Sequence, residues 1–391
     1  MTDTNKKSSV FIQLLPVMFA FFVMGFVDLV GIATNYVKAD FHLSDTAANL
    51  LPSMVFLWFL VFSVPTGMLM NKIGRRQTVL LSFIVTAVAL LIASIPVFYS
   101  FIGMMAAFCL LGIGNTMLQV SLNPLVTNIV APQQLASTLT FGQFVKAISS
   151  FVAPIIATWA ASATGNWKML FPIFLVITVL AWIGLGREKI KEQPAGKIST
   201  FKDSFALLAD STILLCFIGI ICHVGIDVGT NVTAPKILMS RAGLDLNHAA
   251  YAASLYFLFR TIGAFSGSFI LAKWSAKKFF VISVVLMLAA LCGMIFLQSK
   301  AALYVCIAAM GFGNSNIFSI IFAQALLHKA DKTNEASGLL VMGIFGGALF
   351  PPVMGYASDM FGSQTGAAAV MVVGVAYLLF FATKIKAKAH S

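Results

Sequence analysis

Two aspartates interrupt otherwise apolar stretches of this chain: Asp28 in F-V-M-G-F-V-D-L-V-G-I-A-T-N and Asp227 in I-I-C-H-V-G-I-D-V-G-T-N. A carboxylate in hydrocarbon costs roughly 2.5–3.5 kcal/mol on insertion scales, so an acid kept there points to a function. Burial disfavours the charged form and a nearby cation favours it. A cavity that alternates between such surroundings loads a proton on one side and releases it on the other. Asp28 and Asp227 are therefore the proton-coupling candidates, the alternative being static ion pairs that lock helices together. His223, Asp227 and Asn231 are spaced i, i+4, i+8 and share one helix face. His223, one turn from a carboxylate, is either a proton relay near neutral pH or a hydrogen-bonded packing residue. Lys146 and Arg260 are cations too deep in their spans for easy snorkelling. Either an aspartate or a substrate carboxylate can balance them, and Arg offers the latter a bidentate fork.

Amides form a second group. Asn115, Gln119 and Asn123 recur at i, i+4, i+8, and Gln143 lies one turn before Lys146. With Asn314, Asn316 and Gln324 they supply donors and acceptors for a polyhydroxylated ligand, or else bond helix to helix. Trp58 and Tyr256, with Trp159 and Tyr251, are candidates to stack on a sugar face or to anchor spans at the interface. The chain has no phosphate loop, no G-x-S-x-G elbow and no metal motif, and its five cysteines have no ligand spacing. An enzyme is not indicated, and no cofactor or metal is implied. Energy then comes from an ion gradient, protons first and sodium as the alternative.

The elements that position these residues are membrane helices. Hydrophobic residues make up 60% of the chain and charged residues 10%, too little polar surface for a soluble domain. Apolar runs of about twenty residues, each able to cross a bilayer, recur about twelve times. The first covers 11–36, the tenth 301–327 and the eleventh 337–358. Because the first run lacks a small-residue cleavage site, it reads as a retained span. Lys and Arg concentrate on one side of this pattern. By the positive-inside rule that puts both termini in the cytoplasm, for a protein of the cytoplasmic (inner) membrane. The basic excess is topological, and nucleic-acid binding is not indicated. The third, sixth, ninth and twelfth spans are nearly pure hydrocarbon and read as lipid-facing supports.

The chain also repeats at an offset of about 199 residues. Gly25 and Asp28 meet Gly225 and Asp227, Gly67 meets Gly267, Gly112-Ile113-Gly114-Asn115 meets Gly311-Phe312-Gly313-Asn314, and Pro154 meets Pro351-Pro352. The expected organisation is an N-terminal six-helix bundle at 1–186, a charged cytoplasmic linker at 187–207 and a C-terminal six-helix bundle at 208–391.

With these residues in hand, the chain resembles the major facilitator superfamily over essentially its whole length. Gly67 to Arg76, G-M-L-M-N-K-I-G-R-R, looks like that family's gating loop between spans two and three, with Gly67, Gly74, Arg75 and Arg76 matched and Asn71 in place of the family's aspartate. Three stretches are similar to the fucose:proton symporter group: Gln119 to Thr127, Gly311 to Ala323, and Ser337 to Asp359. Departures accompany the matches. Gln119 replaces a carboxylate, Lys146 replaces an asparagine, Arg260 stands one turn before the group's arginine position at Ala264, and Asp28 one turn before its acid. Asp227 coincides with the group's acid. The resemblance implies an all-α major facilitator fold of twelve transmembrane helices, two six-helix bundles related by a pseudo-two-fold axis. It also implies alternating access, with Lys146 and Arg260 approaching one central region. The expected activity is proton-coupled symport of a sugar or acidic sugar by a single chain in the lipid bilayer. A neutral hexose or fucose symporter and a drug:proton antiporter are the alternatives.

Overall fold

A computed structural model describes residues 3–43, 45–192, 200–244 and 246–385, and every regular element among them is helical. The helices are α1 (Asp3–Met24), α2 (Leu29–Asp40), α3 (Asp45–Ile73), α4 (Arg75–Ser94), α5 (Phe101–Val126), α6 (Leu135–Thr164), α7 (Leu170–Arg187) and α8 (Phe201–Ala206). They continue with α9 (Ser211–Ala242), α10 (Leu246–Lys273), α11 (Ala276–Phe296), α12 (Lys300–Asn314), α13 (Ile317–His328), α14 (Thr333–Met342), α15 (Gly346–Phe361) and α16 (Thr365–Lys384). Among the described residues, 11 helices are long and apolar enough to cross a membrane, and the shorter apolar segment Ile12–Asp28 joins them. The chain is an integral membrane protein with the expected all-α span pattern.

Contacts divide the chain into two compact units. The first holds Met1–Pro132, Val145–Ala206 and Asp331–Met342; the second holds Gln133–Phe144, Leu207–Ala330 and Gly343–Ser391. In the first unit α5 packs between α3 and α4, with α7 behind α4 and α14 against α3 and α5. In the second, α12 packs between α10 and α11, and α9 packs on α10, α13, α15 and α16.

The duplicated Gly-x-Gly-Asn motif explains why both units build the same three-helix layer. A Cβ on Gly112 would lie 2.6 Å from the Val55 carbonyl of α3, and one on Gly114 2.5 Å from Thr86 Oγ1 of α4. A Cβ on Gly311 would lie 2.3 Å from the Tyr256 carbonyl of α10, and one on Gly313 2.9 Å from the Ser283 carbonyl of α11. Each pair of glycines lets one helix press against two neighbours at backbone distance, the small-residue packing that helices in lipid rely on. The outer helices α4, α7, α11 and α16 turn large apolar side chains outward: Ile84, Val88 and Leu91; Val176 and Leu180; Ile282 and Val285; Val373 and Phe380.

Three spans that read as continuous in sequence are interrupted. The first breaks into a 3-10 turn at Gly25–Asp28, where the Asn115 side chain donates to the Met24 carbonyl at 2.7 Å. The tenth breaks at Ser315-Asn316, where Asn316 Nδ2 donates to the Gly263 carbonyl at 3.1 Å. The eleventh breaks at Gly343–Phe345. Irregular backbone at membrane depth requires protein partners in place of water, and Asn115 supplies one at the first break. Apolar patterning carries no record of such breaks, because the flanking residues stay hydrophobic.

Candidate functional site

The second unit gathers its polar candidates into one chain of contacts. Asp227 on α9 receives Arg260 Nη1 of α10 at 2.9 Å on Oδ2. The Tyr256 hydroxyl, one turn earlier on α10, donates to Asp227 Oδ1 at 2.5 Å. Asn314 at the end of α12 donates from Nδ2 to the Tyr256 hydroxyl at 2.9 Å, and its Oδ1 meets His223 Nδ1 at 2.8 Å. Arg260 stays 31% exposed and Asp227 14%, whereas Tyr256, Asn314 and His223 are buried. The accessible end of the chain is thus the ion pair, and the closed end is the histidine. Asn231 shares the face of His223 and Asp227, as its spacing requires, yet donates to the Asp227 backbone carbonyl at 2.9 Å. Its Oδ1 is buried without a partner. Asn316 is buried beside Ser315, while Gln143 and Gln324 are half-buried and take no part in the chain.

In the first unit Asp28 ends the 3-10 turn with its side chain exposed, and Ser150 Oγ of α6 donates to Oδ2 at 2.5 Å. Lys146 stands one turn before Ser150, and its carbonyl also accepts from Ser150 Oγ at 3.1 Å. The three amides of α5 form a ladder. Asn115 holds the Met24 carbonyl, Gln119 Nε2 donates to Asn115 Oδ1 at 2.8 Å, and Asn123 Nδ2 donates to the Gln119 carbonyl at 2.8 Å. All three are buried. The ladder fixes the break that presents Asp28, a positioning task that leaves few of its polar atoms for a ligand. Trp58, half-buried on α3, stands edge-on to Phe62 with ring centroids 5.3 Å apart. Lys146 and Arg260 fall in different units.

The gating loop is also built inside the first unit, around α14. A Cβ on Gly67 would lie 2.8 Å from the Asn334 carbonyl, so α3 and α14 meet at backbone distance. Asn71 Nδ2 donates to Glu335 Oε1 at 2.6 Å, and Asn71 Oδ1 accepts from Asn334 Nδ2 at 2.7 Å. Asn71 and Glu335 are both buried. Arg75 spreads its guanidinium over Asn334 Oδ1 (2.7 Å), Asn128 Oδ1 (2.7 Å) and Thr127 Oγ1 (3.0 Å). Arg76 reaches the last carbonyls of α7, Leu185 at 3.3 Å and Gly186 at 2.6 Å. Gly74 turns the chain at φ +88°, which favours glycine, and the next two amides, of Arg75 and Arg76, both donate to the Glu192 carboxylate at 2.6 and 2.7 Å. An acid at a helix N-terminus satisfies otherwise orphan amides and complements the dipole.

Sequence reading overlooked Ser150, Glu192, Asn334 and Glu335. Ser150 had a signal, its i+4 spacing from Lys146. Glu335 stands just before the expected eleventh span, where an acid reads as loop; only folding shows it buried against Asn71. Glu192 lies in the charged linker segment and has no pattern of its own.

These arrangements can be set beside known proteins. A family model described as Major Facilitator Superfamily matches residues 17–340 and again 215–390. A glucose/galactose transporter of Brucella abortus is 28% identical, covering 97% of this chain and 95% of that protein. A putative glucose/galactose transporter of Helicobacter pylori is 26% identical, over 93% of this chain and 94% of that one. Among solved structures, the Escherichia coli fucose:proton symporter superimposes with a TM-score of 0.85 at 17% identity, covering 97% of this chain and 100% of the other.

Proposed function

Because the chain belongs to the major facilitator superfamily, we propose that it is a secondary transporter, carrying a monosaccharide and a proton together by alternating access. Transport needs no cofactor and no covalent chemistry here, since the gradient supplies the energy. The protein works as a single chain in the cytoplasmic membrane with both termini in the cytoplasm, which its loop charges support.

The observation that carries this reading is the Asp227–Arg260 pair at 2.9 Å, partly accessible and backed by Tyr256. Protonating Asp227 removes the charge that holds Arg260, so proton binding changes the chemistry of the accessible end of the chain. A carboxylate and a guanidinium, both partly accessible, form a donor–acceptor pair suited to hydroxyls. Asp28, exposed and held by Ser150, offers a second carboxylate of the same kind. Hydroxyl recognition of this kind requires no charge on the substrate, which favours a neutral hexose. The glucose/galactose transporters that align over nearly the whole chain support the same substrate class.

An acidic sugar is the second reading. Arg260 freed by protonation of Asp227 would suit a carboxylate. Uptake into proteoliposomes under an imposed pH gradient decides between them. Accumulation of galactose or glucose, driven by the proton gradient and abolished by a protonophore, is the expected result. Accumulation of the matching uronic acid instead, lost in Arg260→Ala, would select the second reading. Accumulation that follows a sodium gradient and ignores pH would remove proton coupling. Uptake that rises when the gradient is collapsed would identify a drug-type antiporter.

A further inference from the structure

The segment that leaves α7 sorts its charges by sign. From Arg187 to Glu192 the residues alternate: Arg187, Lys189 and Lys191 are exposed, Ile190 is buried, and Glu188 and Glu192 are half-buried. Extended backbone, seen at Glu188 with φ −77° and ψ 135°, turns successive side chains to opposite sides. The inner side is pinned. The Glu192 carboxylate accepts the Arg75 and Arg76 amides at 2.6 and 2.7 Å, and Asn128 Nδ2 donates to the Lys191 carbonyl at 3.3 Å. All these residues belong to the first unit. With the backbone held against the loops that follow α3 and α5, the three cations are turned outward. Among the described residues, none of their side chains enters an ion pair or a hydrogen bond.

The surroundings of those cations follow from α7. Its exposed side chains include Val176, Val179, Leu180, Trp182 and Ile183, a hydrocarbon face that a membrane span turns to lipid. Tryptophan on such a face settles at headgroup level. Arg187 follows Trp182 by five residues, about 7.5 Å along the helix axis. The cationic row therefore begins where the acyl region ends, beside a surface of phosphates. A second element carries the same combination: α8 packs on α3 and α14 and buries Ser204, while Phe201, Lys202 and Phe205 are exposed. Aromatic rings beside lysine suit the membrane interface. An acidic protein partner would match the charges but would leave their continuity with a lipid-facing helix unexplained.

We propose that Arg187, Lys189 and Lys191 bind the phosphate headgroups of anionic phospholipids in the adjoining leaflet, and that bound lipid steadies the gating loop through Glu192. One short run of backbone carries both contacts. Its outer side chains hold the headgroups, and the acid at its end keeps the turn at Gly74 and the first amides of α4 in place. Lipid composition then acts on the loop between α3 and α4. Naming that leaflet the cytoplasmic one rests on the orientation proposed above; the binding itself does not.

The test needs no transport, so failure of sugar uptake would leave it standing. Native mass spectrometry of the purified full chain in neutral detergent, titrated with dioleoylphosphatidylglycerol or dioleoylphosphatidylcholine, counts bound lipid. The parent should retain phosphatidylglycerol in preference. Arg187→Gln, Lys189→Gln and Lys191→Gln together should weaken it by about fivefold for each residue. Lys189→Gln alone, at an exposed position, should show one such step even if the triple variant fails to fold. Hydrogen exchange locates the effect: phosphatidylglycerol should slow exchange at the Arg75 and Arg76 amides of the parent and not of the triple variant. Glu192→Ala should still bind the lipid but lose the slowing. A charge-matched control in the second unit, Lys273→Gln with Lys277→Gln and Lys278→Gln, should keep it. Loss of the slowing in that control would reduce the effect to net charge and overturn the site. Equal retention of the two lipids would overturn it as well. Slowing by inorganic phosphate alone would replace the lipid with a free anion, and slowing by polyglutamate but not by phosphatidylglycerol would replace it with an acidic protein.

Discussion

Restoring the family's aspartate at position 71 should damage this protein. Asn71 Nδ2 donates to Glu335 Oε1 at 2.6 Å, and both side chains are buried. Asn71→Asp deletes that donor and sets a second carboxylate against the first. A hydrogen bond to a charged acceptor contributes about 1.5–3 kcal/mol. Two like charges about 4 Å apart repel by about 4 kcal/mol at an effective dielectric of about 20. Arg75 attracts Glu335 and offsets part of that repulsion. The bond from Asn334 Nδ2, now at 2.7 Å from Asn71 Oδ1, survives because a carboxylate still accepts it. The two terms sum to about 5.5–7 kcal/mol, and after the partial offset by Arg75 a net loss of about 4–5 kcal/mol follows, an order-of-magnitude figure. The penalty shrinks as pH is lowered, since one carboxyl then takes a proton and becomes the missing donor. Thermal unfolding in detergent, measured across pH on Asn71→Asp, Glu335→Gln and the double variant, tests this. The double variant should recover most of the loss, because its new carboxylate and new amide exchange the acceptor and donor roles and so remake the bond. An Asn71→Asp protein as stable as the parent at neutral pH, or a strictly additive double variant, would refute the reasoning.

Three further outcomes follow from the same structure. A Cβ on Gly25 would lie 2.5 Å from the Lys146 carbonyl, so Gly25→Ala forces the Gly25–Asp28 turn and α6 apart at a cost of about 1–3 kcal/mol; an unchanged unfolding temperature would contradict the close approach. Asp210, the N-cap of α9, is a carboxylate that burial penalises; bonds from Lys329 and His328 outweigh this and hold it well below the usual carboxylate range. Because its folded-state value is lowered, its contribution is present above about pH 4 and is lost as pH falls further. Acid unfolding of Asp210→Asn should therefore be flatter below that pH than in the parent, and parallel curves would count against the ion pairs. Glu192→Ala strips the carboxylate from the first amides of α4 and should cost about 1 kcal/mol, with hydrogen exchange at Arg75 and Arg76 rising first; unaltered exchange there would show that the cap is dispensable.

The sequence by itself determined the class of molecule, because hydrophobic length and charge bias are additive along the chain. Membrane spans, their approximate number and the duplicated motifs needed no contacts to be legible, and neither did the unusual cost of Asp227 or Arg260 in an apolar run. The repeat even announced the packing, since Gly112-Gly114 and Gly311-Gly313 perform the same close approach in each unit. Tertiary structure decided what the polar residues do. The duplicated Asn115 and Asn314 end in different trades, one holding the Met24 carbonyl and the other joining His223 to Tyr256. The same holds for the two aspartates: Asp28 is presented on a broken turn beside Ser150, while Asp227 is gripped by Arg260 and Tyr256 within continuous helices. The missing loop acid is supplied from 264 positions away, by Glu335. A hydrogen bond depends on where one atom pair meets in space to within a few tenths of an ångström, and periodicity along a chain fixes only which face a residue occupies.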